Sequence, residues 1–114
     1  MISSIWVRFS FIGWHSYPDA PDEVAYLRTS HRHTFNCRVE LCVDPNVDRE
    51  LEFHMVRGHI QEVFLLPLNK HNVGSCEQMA HTLISITTSL YPNRVVTATV
   101  DEDGECGATL TDLN

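Results

Sequence analysis

Residues 31–43 read His31-Arg32-His33-Thr34-Phe35-Asn36-Cys37-Arg38-Val39-Glu40-Leu41-Cys42-Val43. Phe35, Cys37, Val39, Leu41 and Val43 share one parity, and Thr34, Asn36, Arg38 and Glu40 share the other. Alternation of period two over this length predicts a half-buried strand. An earlier segment repeats the pattern, with Ile5, Val7, Phe9 and Phe11 opposed by Arg8 and Ser10. His31 and His33 open the second strand two residues apart, so their imidazoles share a face, with roots about 6–7 Å apart. Both can reach one metal ion at the usual zinc–nitrogen distance of about 2.0–2.1 Å. His15 ends the first strand pattern, and antiparallel pairing would bring it beside the other two. Three neutral imidazoles with an open fourth position are the usual ligand set of a catalytic zinc. A His-x-His pair also stands on ordinary strand surfaces, and spacing alone leaves both readings open.

The neighbouring segments complete a domain. Ser16 to Ser30 contains Pro18, Asp19, Pro21 and Asp22 and reads as a connecting loop long enough to carry function. Phe53, Val56, Ile60, Val63 and Phe64 fall at helical spacing, and Pro67 closes that segment. A second helix is expected from about Cys76 to Ser89 on Met79, Leu83, Ile86 and Leu90. Ser75 with Gln78 forms a capping box at its start and places Glu77 in the first turn, where a carboxylate suits the exposed N–H groups. Val96, Ala98 and Val100, the Asp103-Gly104 turn signal, and Cys106, Ala108 and Leu110 read as a hairpin. The order β-β-α-α-β-β predicts a single α+β domain over 1–114, with both helices on one face of a four-stranded antiparallel sheet.

Composition narrows the function classes. The chain has 114 residues and 43% apolar content, which supports one modest core. No stretch approaches the roughly 18 apolar residues of a membrane span, and the start lacks a signal-peptide pattern, so the cytoplasm is the expected address. A formal charge of −7, with Lys70 as the one lysine, opposes nucleic-acid binding. It also disfavours anionic ligands unless a local basic pocket overrides it. Cys37, Cys42, Cys76 and Cys106 form no C-x-x-C pair and are expected as reduced thiols, Cys37 buried. His54, His59, His71 and His81 lack metal-ligand spacing, and His59 and His81 read as helix-surface residues. From spacing alone, Glu102 is a solvated residue beside a turn and Glu77 a favourable helix-start charge.

Phe9-Ser10-Phe11 followed by His15, then His31-Arg32-His33-Thr34-Phe35, resembles the opening of the 6-pyruvoyl- and 6-carboxytetrahydropterin synthases. That family reads F-x-F-x-x-x-H and then H-G-H-x-F/Y. Leu51-Glu52-Phe53 is similar to its V-x-D-F segment, Leu68-Asn69 to its L-N pair, and Gly74-Ser75-Cys76-Glu77 to its P-T-S-E segment. Val100-Asp101-Glu102 through Leu110 resembles its closing V-x-E-T segment and final strand. The matches run in order along nearly the whole chain. The resemblance implies the tunnelling fold and zinc on His15, His31 and His33. It also implies that Glu102 anchors a pterin ring, with Glu77 and Ser75 at that ring's other polar atoms. It implies homo-oligomers, trimers paired into hexamers, with ligand sites between subunits. The implied activity is a zinc-dependent lyase acting on dihydroneopterin triphosphate or a related pterin, in pterin, folate or 7-deazaguanine (queuosine-type) synthesis.

The chain departs from the pattern at the proton-transfer positions. The family's catalytic thiol, four residues before H-G-H, falls on Leu27; its Asp-His pair falls on Phe64 and Leu65; the central glycine of H-G-H is Arg32. His71, Glu23 and Tyr26 are the candidate replacements for the missing acid and base. Two alternatives to the familiar reaction follow. One is a pterin or purine binder that converts nothing; the other is an enzyme with a reassigned reaction such as side-chain aldol cleavage.

Overall fold

The alternating segments pair with each other along their whole length. In the computed structural model, which describes residues 1–114, β1 (Ser3–His15) runs antiparallel to β2 (His31–Val43), from Ser3 opposite Val43 to His15 opposite His31. β3 (Val96–Glu102) adds to β2 and β4 (Cys106–Asp112) to β3, giving an antiparallel sheet in the order β1-β2-β3-β4. Two helices, α1 (Phe53–Leu65) and α2 (Cys76–Leu90), separate β2 from β3 in the chain. The expected α+β order and the two-helix, four-strand composition are therefore what the chain adopts.

The parity of each strand decides what the helices cover. Val7, Phe9, Phe11, Phe35, Cys37, Val39, Leu41, Val96, Ala98 and Val100 form one buried face. Val56, Ile60 and Phe64 of α1 and Met79, Ala80 and Leu83 of α2 pack on it. Phe64 sits tilted against Phe9 and Phe11, with ring centroids 5.9 and 6.0 Å apart. Each valine, leucine, isoleucine, phenylalanine or methionine among them, fully buried, contributes roughly 1.5–3 kcal/mol of hydrophobic stabilisation. The opposite sheet face is polar except for Trp6, Ile12 and Trp14, and Arg38 lies 5.0 Å over the Trp6 ring.

Local chemistry sets the helix starts. The Ser75 hydroxyl accepts the Gln78 N–H at 3.1 Å, and Gln78 Oε1 accepts the Ser75 N–H at 2.9 Å, closing the capping box. Gly74 has φ +86°, and a Cβ there would meet Gln78 Oε1 at 2.7 Å, so the box needs glycine before it. For α1, the Glu52 carboxylate accepts the N–H groups of His54 and Met55. Ser16 to Ser30 is more structured than the expected loop. Asp22–Arg28 forms 3-10 turns kinked at Val24, and Arg28 donates to the Ala20 carbonyl and to Asp22. No helix is long and apolar enough to cross a membrane.

An ion pair ties the end of β2 to the approach of β3. Arg94 Nη1 lies 2.9 Å from Glu50 Oε2 and donates to the Cys42 carbonyl, while Glu50 Oε1 accepts the Asp44 N–H. The Asp44 N–H first, then Arg94, hold the Glu50 carboxyl below the usual carboxylate range. A depressed acid stabilises the fold above its unfolded pKa and loses that contribution as pH falls through the folded value. Thermal melts of Glu50→Gln against wild type should therefore show a lower Tm at neutral pH. The gap should close in acid, below the ordinary carboxylate range; a gap independent of pH contradicts this account.

Candidate metal centre and cleft

The inward parity that builds the core continues past the ends of the helices. Along β1 it passes from Phe11 through Gly13 to His15, along β2 backwards from Phe35 through His33 to His31, and along β3 from Val100 to Glu102. Register then places His15 opposite His31, Gly13 opposite His33 and Phe35 opposite Glu102. Three imidazoles thereby meet with ring centroids 4.6, 4.9 and 5.3 Å apart, and one nitrogen of each lies within 4.8 Å of the others.

Each imidazole is oriented through Nδ1. That atom lies 2.7 Å from the Gly74 carbonyl in His15, 2.8 Å from the Thr29 carbonyl in His31, and 2.7 Å from Asp103 Oδ2 in His33. A carbonyl or a carboxylate can only accept, so each neutral ring carries its proton on Nδ1 and presents an Nε2 lone pair. His33 Nε2 is buried with no hydrogen-bond partner. The Glu102 carboxylate faces the same point, with Oε1 3.2 Å from His15 Nε2 and Oε2 3.5 Å from His33 Nε2. Lone pairs and a carboxylate directed at one place repel unless a cation lies among them. Imidazoles held by oxygen acceptors behind them are the usual outer arrangement of a zinc ligand set. The donor set of this chain therefore fits zinc.

Distant segments supply these acceptors. The Trp14 N–H donates to the Lys70 carbonyl at 2.8 Å and the Val73 N–H to the Trp14 carbonyl at 3.0 Å, which lays residues 70–73 along the free edge of β1. This brings Gly74 under His15. A Cβ on Gly13 would lie 2.9 Å from Val73 Cγ1 and 3.1 Å from Phe11 Cε2, so the bare position opposite His33 lets that segment close down. Asp103, at φ +59° in the β3–β4 turn, also accepts the Thr34 N–H through Oδ1, and its own N–H donates to the Thr34 carbonyl. The His33 hydrogen bond first, then Thr34, hold its carboxyl below the usual range.

Beside the imidazoles lies an open cleft of about 620 Å³. His15, His31, Ser75, Glu77 and Glu102 line it together with Tyr17, Leu27, Asn72, Cys76 and Cys106. Burial first, then the charge of Glu102, push the Cys76 thiol up to about 12, so it stands there as a neutral S–H, 4.0 Å from Glu102 Oε1. The remaining sequence candidates lie elsewhere. His71 is exposed and stacks on Trp14 at 5.4 Å, on the side of β1 away from the histidines. Glu23 and Tyr26 are exposed on the 3-10 turns and do not line the cleft. Asp103 and Cys76 were not singled out from sequence as site residues. Asp103 lies 70 positions from His33, and its turn signal hides its second role.

No family model matches the chain, and no curated protein matches it in sequence. Solved structures do. The 6-pyruvoyl tetrahydropterin synthase of Caenorhabditis elegans superposes with a TM-score of 0.70 at 17% identity, covering 98% of this chain and 96% of that one. The 6-pyruvoyl tetrahydropterin synthase of Plasmodium vivax superposes with a TM-score of 0.63 at 13% identity, covering 100% of this chain and 99% of that one. From end to end, this chain has the fold of the 6-pyruvoyl tetrahydropterin synthases.

Proposed function

We propose that the chain holds one zinc ion on His15, His31 and His33 and binds a pterin-like ring in the adjoining cleft. It acts there as a lyase of the tetrahydropterin synthase type, on dihydroneopterin triphosphate or a related pterin. The observation that carries this reading is the convergence of three Nε2 lone pairs, each imidazole fixed through Nδ1, at the edge of a cleft lined by Glu102. Bound zinc would supply Lewis acidity toward oxygens of the ligand's side chain.

The chain's own groups bind and orient the ring. Two parallel N–H donors of a pterin match the two oxygens of the Glu102 carboxylate. The Ser75 hydroxyl already accepts the Gln78 N–H, which leaves its proton to donate into the cleft. Glu77, in the first turn of α2, faces the same space. Leu27 supplies an apolar wall against which a flat ring can rest. The edge of β4 and the part of the β1 edge that residues 70–73 leave uncovered would join neighbouring copies into the homo-oligomer, a hexamer, that the resemblance implies.

One observation favours a second reading, a protein that binds its ligand and leaves it unchanged. Leu27 lines the cleft at the position that corresponds to the family's thiol, and His71, Glu23 and Tyr26 lie outside that lining. Turnover separates the two. Zinc-loaded, assembled protein that converts dihydroneopterin triphosphate or a related pterin supports the lyase; a bound pterin recovered intact supports the binder.

The metal has its own tests. Wild type should take up one zinc per chain, and His31→Ala should weaken zinc by more than the roughly 10–100-fold typical of an outer partner. Failure of wild type to take up zinc would remove the basis of both readings. Asp103 is such an outer partner. Asp103→Asn keeps an acceptor for His33 and tolerates the left-handed backbone, but loses the charge. Competition with a chromogenic chelator should show zinc held about 10-fold more weakly, with Tm close to wild type. Unchanged affinity would reduce Asp103 to a turn residue.

A further inference from the structure

We infer that Glu102 is a fourth ligand of the metal held by His15, His31 and His33, and that a bound pterin ring draws it away from that metal. This rests on the metal and ring-binding reading above and adds the coupling between the two.

The two sides of the His33 ring carry the argument. Where that ring meets a carboxylate as a hydrogen-bond donor, from Nδ1 to Asp103 Oδ2, the separation is 2.7 Å. On its other side Nε2 stands 3.5 Å from Glu102 Oε2, and His15 Nε2 stands 3.2 Å from Glu102 Oε1. Charge-assisted N–H···O bonds close to about 2.7–2.9 Å, and neither Glu102 contact has that length. With Nδ1 of each imidazole already donating to an oxygen, a neutral ring has no proton at Nε2 to give. Two donor atoms on one tetrahedral zinc, each bonded at about 2.0–2.2 Å, lie roughly 3.3–3.5 Å apart. Glu102 thus stands from His15 and His33 at close to the spacing of ligands around a shared ion.

Charge and position agree with that spacing. No lysine or arginine pairs with Glu102; its ionic neighbours are the two imidazoles, and the Cys76 thiol lies 4.0 Å from Oε1. A carboxylate so placed is compensated when a cation lies between it and the rings. Its backbone is fixed at the end of β3, opposite Phe35 of β2 and Cys106 of β4. Its side chain also lines the cleft, so rotation about its own bonds can carry the carboxylate from the metal to the ring. Both oxygens face the imidazoles, and the paired N–H donors of a pterin need those same oxygens. One carboxylate serves one partner at a time. The metal is therefore capped until a ring enters, and ring binding frees a coordination position at the edge of the cleft.

Cobalt(II) in place of zinc tests this in the full-length, assembled protein, because its visible absorption reports the ligands around it. Glu102→Gln should change the wild-type cobalt spectrum, and chelator competition should show zinc held about tenfold more weakly. Pterin itself, which has the ring but no side chain to offer the metal, should move the wild-type spectrum in the same direction. By reciprocity, zinc should weaken pterin binding severalfold in calorimetry. The pterin titration uses wild type alone, so it decides the matter even if the variant does not fold. A spectrum and zinc affinity unchanged in Glu102→Gln, or pterin that binds wild type without moving the spectrum, overturns the inference and spares the ring-binding reading. A spectrum that changes in Glu102→Gln while no pterin binds leaves Glu102 a ligand, and overturns both the exchange and the ring-binding reading. Failure of wild type to take up metal overturns the whole.

Discussion

The register between β1 and β2 is the constraint on which the rest of the structure depends. Side chains alternate faces with a period of two, so a slip of one residue would turn the whole inward set to the other side. That set comprises the core aromatics and the three histidines alike. Phe35, fully buried, lies edge-on to His15 at 5.2 Å and to His33 at 5.6 Å, and it stacks on Phe11 at 5.4 Å. The packing that drives the sheet onto the helices therefore also positions the imidazoles. The hydrophobic free energy of the core specifies a polar site that would not assemble by itself, because lone pairs brought together without a cation repel.

The register brings the histidines together, and three other parts of the chain orient them. Thr29 before β2, Gly74 before α2 and Asp103 in the final turn each take one Nδ1 proton. The contacts to Gly74 and Asp103 span 59 and 70 residues of sequence. The oriented histidine cluster is thus complete only when both the crossover through the helices and the closing hairpin are in place. A metal ion held there would stabilise the whole fold, because the unfolded chain offers no such preformed arrangement.

What was legible in the sequence follows the range of the interaction. Strand alternation, helical spacing, the Ser75–Gln78 box and the Asp103-Gly104 turn are local, and each stands where it was read. The His-x-His spacing fixed a shared face for His31 and His33, and the strand end put His15 within reach. The 3-10 turns of Asp22–Arg28 escaped because a segment held by two prolines and a single arginine clamp has no periodicity to detect. His71 lies away from the cleft for a different reason. Its neighbours suggested the site, but β1 has two sides, and the stacking partner Trp14 has the parity that points away from the histidines. Such a choice of side is decided by packing, not by spacing.

The same distinction separates metal binding from catalysis. The position that matches the family's acid holds Phe64, 3% exposed and packed between α1 and the first strand against Phe9 and Phe11. An aspartate there would lose those contacts and bury a carboxylate without a partner, a cost of several kcal/mol before any chemistry began. Leu27, in contrast, stands in the cleft wall, where a polar replacement would meet solvent and ligand. The thiol position is thus open to substitution, while the acid position is committed to the core. The histidines and Glu102 escape that conflict because they lie where the inward face has run past the helices and no longer has to be apolar. In this chain the positions of the three histidines and Glu102 can therefore stay polar without disturbing the packing, whereas the position of Phe64 cannot.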